Sequence, residues 1–309
     1  MNQEKRVFLA SPHGMCAGVR RALETVEMVL DRFGPPVYVL HEIVHNNFIV
    51  NDLRQRGVRF AETLEEVPPG AVLLFSAHGV SAAVEEQARS RNLRIVDVTC
   101  PLVKRLHHCA GKAHDVLILI GHRGHPEVEG TVGRSGAKYT FVVGSTAEAE
   151  ALTPLPPGSR IELLAQTTLN TEEVGRIEAK LRERYPQLES AATVCYATTN
   201  RQRAVRALAG KCEVILIIGS PRSSNSNRLR EVAEQAGVKA FLIENAGEIP
   251  AEIIAKTATI GVSAGASAPE SLVEGVLERL RAAGFRVENE NCATDESTAF
   301  SIPPIPEKS

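Results

Sequence analysis

The chain of 309 residues contains no tryptophan, few aromatic residues and almost no net charge. Aromatic residues make up 4% of the sequence, and 35 basic against 37 acidic residues give a formal charge of −2. Electrostatic attraction to nucleic acid or to an anionic membrane is therefore not expected. Base stacking on aromatic side chains is also disfavoured. We expect neither a nucleic-acid partner nor a membrane partner.

Long apolar runs, a secretory signal and the common nucleotide-binding fingerprints are missing as well. No stretch approaches the roughly 20 apolar residues that span a bilayer, and the polar first six residues do not resemble a signal peptide. Neither a Walker motif nor a Gly-x-Gly-x-x-Gly fingerprint occurs, which disfavours nucleotides and NAD. The six cysteines of a chain without a leader indicate a reducing compartment, and we expect a cytoplasmic protein.

The sequence does contain a regular alternation of short Val-, Ile- and Leu-rich runs with helical patterns. Near-continuous apolar runs are typical of parallel strands that helices cover on both faces, so we predict an α/β protein. The predicted strands are 7–10, 37–40, 58–61, 72–76, 94–98, 116–120, 139–143, 161–165, 192–194, 214–218, 240–243 and 257–262. The predicted helices include 20–32, 82–91, 171–184, 204–211, 226–236 and 269–283.

Three cysteines, Cys16, Cys100 and Cys195, occupy equivalent places in this alternation. Each follows a β-rich run and precedes a helical run that carries arginine or lysine. If three such strand ends meet at an axis, three thiolates without a fourth suggest an iron–sulfur cluster with one open iron. Three unrelated buried cysteines are the alternative. The other cysteines, Cys109, Cys212 and Cys292, lie away from strand ends, and we predict that they are packing residues.

The order of the elements repeats after each of the three cysteines, which predicts three similar α/β lobes around a pseudo-threefold axis. We place the first lobe at residues 17–99 and the second at residues 100–194. The third comprises residues 195–283 and is completed by residues 1–16. Residues 284–309 are predicted to form an irregular, polar C-terminal extension on the surface.

Polar residues cluster where the predicted strands end, which is where open α/β sheets bind ligands. Serines and asparagines that stand just before helices can bind a phosphate or simply cap the helix. A histidine followed two residues later by a carboxylate, as in His125-Pro126-Glu127, can pass protons. The residues that suggest a phosphorylated ligand are His45, His78, Ser223, Ser224, Asn225 and Ser267.

Several segments together resemble the 4-hydroxy-3-methylbut-2-enyl diphosphate reductase family. They are 14–19, 41–46, 76–81, 99–103, 121–131, 166–169, 195–202, 223–229 and 263–269. The likeness extends from residue 7 to about residue 280. Two departures are visible near the first cysteine: Met15 stands where the family usually has an aromatic residue, and His13 where it often has arginine.

This resemblance implies a three-lobed fold around one [4Fe–4S] cluster, with Cys16, Cys100 and Cys195 as its ligands. It implies a reductive dehydroxylation that gives isopentenyl and dimethylallyl diphosphates, the last step of the methylerythritol phosphate pathway. The implied partners are the allylic diphosphate substrate and a low-potential electron donor such as ferredoxin or flavodoxin. The resemblance implies that the diphosphate is held by His45, His78, Ser223, Ser224, Asn225 and Ser267. His125, Thr167 and Glu127 would surround the allylic hydroxyl, with Glu127 as the proton source.

Two other functions remain open from the sequence. A [4Fe–4S] Lewis-acid synthase or dehydratase acting on a small acid would need Arg or Lys at strand ends, where this chain has Ser, Asn and His. An iron–sulfur redox sensor would need an interaction module, and no basic patch or helix-turn-helix pattern is present. Turnover of the allylic diphosphate distinguishes these possibilities.

Overall fold

The computed structural model describes residues 4–190, 194–291 and 296–307, and its strands form three parallel sheets. The predicted strand at 192–194 lies largely outside these residues. In chain order the described strands are β1 (Arg6–Ser11), β2 (Val37–Leu40), β3 (Val58–Ala61), β4 (Val72–Phe75), β5 (Arg94–Asp97), β6 (Val116–Ile120), β7 (Tyr139–Val143), β8 (Ile161–Ala165), β9 (Glu189–Ser190), β10 (Val214–Ile218), β11 (Lys239–Ile243), β12 (Thr259–Ala264) and β13 (Arg286–Asn291).

Helices separate most of these strands, as the alternating pattern predicts. The described α-helices are α1 (Ala17–Phe33), α2 (Asn47–Gln55), α3 (Ala82–Ser90), α4 (Pro101–Ala110), α5 (Pro126–Val132), α6 (Thr146–Ala151), α7 (Thr171–Arg184), α8 (Tyr196–Ala209), α9 (Ser224–Gln235), α10 (Ala251–Lys256) and α11 (Glu270–Ala282). Among the described residues, no helix combines the length and the apolar character that a membrane crossing requires.

The three sheets have the strand orders β11-β10-β12-β1-β13, β3-β2-β4-β5 and β7-β6-β8-β9. All described pairings are parallel. Strands β6, β8 and β10 are buried along their whole length. The side chains of β6 and β10 are all apolar, as expected for parallel strands that helices cover on both faces, whereas β8 also buries Glu162. The α/β class with parallel sheets is therefore confirmed.

The chain divides into two compact units. The first comprises Met1–Val19, His45–Ile49 and Tyr196–Ala299, and its described residues contain the five-stranded sheet. The second comprises Arg20–Val44, Val50–Cys195 and Phe300–Ser309, and contains the two four-stranded sheets. The boundaries of the three predicted lobes remain a prediction.

The start of the C-terminal extension is a strand, so the prediction that it is irregular was wrong there. Strand β13 pairs in parallel with β1 over six residue pairs, from Arg6↔Arg286 to Ser11↔Asn291. This strand is difficult to predict from its polar sequence. An edge strand needs ladder hydrogen bonds but only one apolar face, so it lacks the continuous apolar run of a central strand. Phe285 is buried and Val287 packs on the same core cluster, which anchors that face.

Candidate functional site

In the second unit, the loop between β6 and α5 positions His125 and Glu127. His125 caps the N-terminus of α5, and its Nδ1 accepts a hydrogen bond of 3.2 Å from the backbone N–H of Glu127. Pro126 occupies the first turn of the helix, where its missing N–H costs no helical hydrogen bond. The short His-Pro-Glu sequence therefore starts a helix and turns the Glu127 side chain inward.

The carboxyl group of Glu127 is buried against Thr167, which lies just beyond the end of β8. Oε1 accepts a hydrogen bond of 2.6 Å from the Thr167 backbone N–H, and Oε2 accepts one of 2.8 Å from Thr167 Oγ1. Glu127 is 2% exposed. Burial raises the pKa of Glu127 to about 7, although the two hydrogen bonds from Thr167 act in the opposite direction. The group can therefore hold or release a proton near neutral pH.

His78 lies next to His125 in the same unit. The two imidazole rings meet edge to face, with their centroids 5.6 Å apart. Ser76 Oγ lies 3.3 Å from His78 Nδ1. The structure thus joins His78, His125, Glu127 and Thr167 in one series of contacts. The sequence predicted each of these residues, but not the burial that changes the acidity of the carboxyl group.

Gly79, which follows His78, lets this loop pass close to α4. Its φ is +76°, and a Cβ added there would lie 2.5 Å from Cε1 of His107. Glycine is therefore required both by the backbone conformation and by the neighbouring ring. Burial lowers the pKa of His107 to about 4, so its ring packs in the neutral form at neutral pH.

In the first unit, the predicted anion-binding serines and asparagine lie at the N-terminus of α9 and in the loop after β12, and His45 lies just before α2. Ser223 caps α9, and its Oγ accepts a hydrogen bond from the Ser226 backbone N–H. Ser224 is the first residue of that helix. Ser267 Oγ donates to the His45 carbonyl at 3.2 Å. Burial lowers the pKa of His45, so the neutral imidazole is favoured. Ser223 therefore acts as the cap that the alternative interpretation predicts, at a helix end suited to anions.

Asn225 connects α9 to two neighbouring segments of the first unit. Its Oδ1 accepts a 2.9 Å hydrogen bond from the Ala266 backbone N–H, and its Nδ2 donates to Thr198 Oγ1 at 3.3 Å. Asn225 is 4% exposed. Thr198 was not among the predicted site residues, although it lies in the segment 195–202 that carried the resemblance. Its position in the first turn of α8 was the available signal.

Each of the three predicted ligand cysteines directly precedes a helix. Cys16 precedes α1, Cys100 caps α4 and Cys195 precedes α8. Cysteine sulfur is the usual protein ligand of iron–sulfur clusters. These three side chains are partly exposed, and none of the five described cysteines forms a disulfide. The donor chemistry therefore fits an iron–sulfur group.

The remaining described cysteines behave as packing residues. Cys109 and Cys212 are 6% and 8% exposed, and each belongs to an apolar core cluster. Burial raises the pKa of the Cys212 thiol to about 12, which keeps it protonated. The prediction is confirmed for both, while Cys292 lies outside the described residues.

Backbone hydrogen bonds connect the three ligand candidates to other strand-end loops. The N–H of Cys100 donates to Ala77, the residue before His78, and the N–H of Cys195 donates to Thr167. Within the first unit, the N–H of Cys16 donates to Ala266. Among the described residues, no group of three or more His, Cys, Asp or Glu side chains is arranged to hold a metal ion. The complete ligand set therefore stays a prediction.

His13, one of the two unusual residues near Cys16, contacts two other segments of the chain. His13 Nδ1 lies 2.5 Å from the Ala10 carbonyl oxygen, and its Nε2 lies 3.4 Å from Oε2 of Glu270. His13 therefore spans from the end of β1 to the start of α11.

Comparison with known sequences gives the family. The sequence profile of the LytB protein family matches residues 7–281. The chain belongs to the LytB family. A curated protein from Chromohalobacter salexigens is 47% identical, with 96% of each chain covered. One from Neisseria meningitidis is 46% identical, with 97% of this chain and 94% of the relative covered. Both carry the name 4-hydroxy-3-methylbut-2-enyl diphosphate reductase.

Solved structures of similar proteins agree with this membership. The Plasmodium falciparum E-1-hydroxy-2-methyl-but-2-enyl-4-diphosphate reductase matches with a TM-score of 0.93 and 31% identity, over 97% of this chain and 96% of that one. A second solved structure matches with a TM-score of 0.64 and 31% identity. It is the structure of (E)-4-hydroxy-3-methyl-but-2-enyl diphosphate reductase, the terminal enzyme of the non-mevalonate pathway. That match covers 90% of this chain and 99% of the other.

Proposed function

We propose that the chain is an iron–sulfur oxidoreductase that converts (E)-4-hydroxy-3-methylbut-2-enyl diphosphate to isopentenyl and dimethylallyl diphosphates, the last step of the methylerythritol phosphate pathway. The observation that supports this function most directly is the sequence identity of 46–47% to reductases of that name along nearly the whole chain. In this reaction the allylic C–O bond breaks, and the hydroxyl leaves as water. Two electrons and two protons enter, one proton going to the departing oxygen and the other to carbon.

The proposed cofactor is one [4Fe–4S] cluster held by Cys16, Cys100 and Cys195. Three partly exposed thiols at helix N-termini support this ligand set. When bound, such a cluster supplies electrons, and an iron without a protein ligand is a Lewis acid for the alcohol oxygen. The donor would be a low-potential protein such as ferredoxin or flavodoxin. A cytoplasmic location is in keeping with described cysteines that form no disulfides.

We assign proton delivery to Glu127. Its pKa of about 7 leaves a substantial fraction protonated at neutral pH, whereas an ordinary glutamic acid would be ionised. Thr167 holds both carboxyl oxygens, and His125 accepts from the Glu127 backbone, so the acid has a fixed direction. In this proposal His125 and Thr167 order the path of the proton to the leaving hydroxyl.

We assign diphosphate binding to His45, Ser223, Ser224, Asn225 and Ser267 in the first unit and to His78 in the second. Hydroxyl and amide groups at the start of α9 support this assignment, because helix N-termini present N–H groups and a positive dipole end to anions. The buried Asn225 is held by contacts on two sides, so its position is set before a ligand arrives.

The direct test of the function is turnover without oxygen. Protein purified without air, supplied with a strong one-electron reductant and the allylic diphosphate, should release both five-carbon diphosphates. Product formation should require iron in the protein and should stop when the reductant is left out. Iron-loaded protein that gives neither product would contradict the proposal and would favour a sensor or a different dehydratase.

Replacing Asn225 with alanine should weaken substrate binding by roughly 10- to 100-fold, the equivalent of one hydrogen bond to a charged group. Iron content should stay unchanged, because Asn225 is not a cluster ligand in this proposal. Calorimetric titration with the diphosphate measures the affinity. The matched control is Asn245→Ala, an exposed asparagine of the same unit, which should bind normally. Equal affinity in the two variants would count against the diphosphate assignment.

A further inference from the structure

Two buried arginines hold the backbone just before two of the ligand candidates. Arg201 in α8 is 1% exposed, and its Nε donates a 2.9 Å hydrogen bond to the carbonyl of Gly14, two residues before Cys16. Burying a guanidinium is unfavourable unless its donors are satisfied. The guanidinium of Arg201 is therefore tied to the Gly14 carbonyl that it contacts.

Arg21 in α1 makes the equivalent contact in the second unit. It is 6% exposed, and its Nη1 donates to the carbonyls of Val98 at 3.0 Å and Thr99 at 3.2 Å. These are the two residues immediately before Cys100. Each arginine thus belongs to the helix that follows one candidate cysteine and holds the loop that precedes another. The sequence pattern of basic residues after the cysteines is explained in part by these contacts.

Residues near the C-terminus complete the hydrogen bonding of both arginines. Glu296 Oε1 accepts from Arg201 Nη1 at 2.9 Å, and the Ser301 carbonyl accepts from Arg21 Nε at 2.6 Å. The Glu296 side chain is 13% exposed, so this ion pair is largely shielded from solvent. The first contact lies within the first unit, and the second lies within the second unit.

The loop before Cys16 depends on such contacts because it is not part of a regular element. Gly14 has a φ of +66°, a conformation that favours glycine. Its N–H donates to Ala264, and the N–H of Cys16 donates to Ala266. The Gly14 carbonyl has Arg201 as its donor, so the backbone on both sides of Met15 is fixed.

We propose that Arg201 and Arg21 are positioning residues for Cys16 and Cys100, and that residues 296–301 complete both arginine sites. Each guanidinium fixes carbonyl groups one or two residues before a thiol and thereby limits where that thiol can lie. The inference rests on the proposed iron–sulfur function, because the two loops matter as carriers of cluster ligands. Neither arginine is assigned a contact with substrate.

The test compares the labelling of individual cysteines in the full-length chain. Protein purified without air is mixed with an iron chelator and iodoacetamide, and mass spectrometry follows each cysteine with time. Arg201→Gln should raise the labelling rate of Cys16 about 10-fold and leave Cys100 unchanged, because lost hydrogen bonds make local opening easier. Arg21→Gln should produce the reverse pattern. The control Arg32→Gln removes exposed contacts from α1 to the Ile305 and Pro306 carbonyls and should change neither rate.

Two further variants test the role of the C-terminal residues. Glu296→Gln should raise Cys16 labelling several-fold, since a charged hydrogen bond becomes a neutral one. It also keeps the test possible if Arg201→Gln does not fold. Removal of residues 300–309 deletes Ser301 and should affect Cys100 alone. Equal changes at both cysteines, or no change at either, would overturn the positioning role.

The labelling result is independent of catalysis. Labelling that separates Cys16 from Cys100 in protein that does not turn over the allylic diphosphate would support positioning and contradict the proposed function. Normal turnover together with identical labelling in all variants would support the proposed function and contradict the positioning role. In addition, the paramagnetic resonance spectrum of iron-loaded Arg201→Lys should lie closer to that of the unmodified protein than the spectrum of Arg201→Gln. Lysine retains the positive charge and a donor for one carbonyl, whereas glutamine loses the charge.

Discussion

Turnover by a Glu127→Gln variant is expected to fall by about 10²- to 10⁴-fold, the usual contribution of a positioned general acid. Glutamine keeps the size of the side chain and an acceptor for the Thr167 N–H, but it has no acidic proton. Iron content and affinity for the allylic diphosphate should be retained. Single-turnover measurements on saturated protein separate the chemical step from binding. Loss of affinity with normal chemistry would make Glu127 a binding residue instead.

The matched control is Glu129→Gln, two residues further along α5. Glu129 is exposed and accepts a hydrogen bond from the Gly124 N–H, without any described contact to Thr167. This variant should retain near-normal turnover. The pH dependence gives a second check, because an acid with a pKa of about 7 loses its proton as the pH rises. Turnover in the unmodified protein should therefore decline above about pH 7, and Glu127→Gln should lack that decline.

Replacing Cys16, Cys100 or Cys195 with serine should abolish stable cluster binding, and with it turnover. Protein purified without air should contain about four irons per chain, the content of one [4Fe–4S] cluster, and each of these variants should contain far less. Iron and sulfide analysis together with the absorption spectrum measures the loss. A variant that kept all its iron would remove that cysteine from the ligand set.

The controls for this series are the two buried cysteines. Cys109→Ala and Cys212→Ala remove sulfur from apolar clusters, so they should reduce thermal stability slightly and leave the iron content intact. Loss of iron from Cys109→Ala under the same conditions would show that the ligand assignment is wrong. Stoichiometric zinc without iron in the unmodified protein would contradict the cofactor itself.

The apolar strands were predictable because burial on both faces leaves a strong pattern in the sequence. Five consecutive apolar residues mark β6 and β10, and both have the predicted bounds. Strand β13 has no such signal, since its Arg-Val-Glu-Asn-Glu-Asn sequence reads as polar. Short helices such as α5 are equally difficult to predict, because seven residues give too few turns for a periodic pattern.

The residues of the candidate site were proposed from the sequence, whereas their environments could not be predicted from it. His125, Glu127 and Thr167 were identified through a resemblance that matched whole segments. The raised pKa of Glu127 depends on complete burial, which follows from tertiary packing rather than from neighbouring residues in the sequence. The same holds for Arg21 and Arg201, because arginine in an amphipathic helix is usually expected at the surface.

Strand β1 has a consequence for the order in which the protein can be made. It lies between β12 and β13, with Leu9 opposite both Val262 and Asn289. A ribosome releases the beginning of the chain long before β12 and β13 have been synthesised, so β1 has no partner strand during almost the whole of translation. Such distant pairing slows folding and leaves an apolar segment open to misassociation meanwhile. The two four-stranded sheets use neighbouring segments and can form earlier. We therefore expect nascent chains that stop before residue 259 to need chaperone protection at β1, even when the two four-stranded sheets have formed.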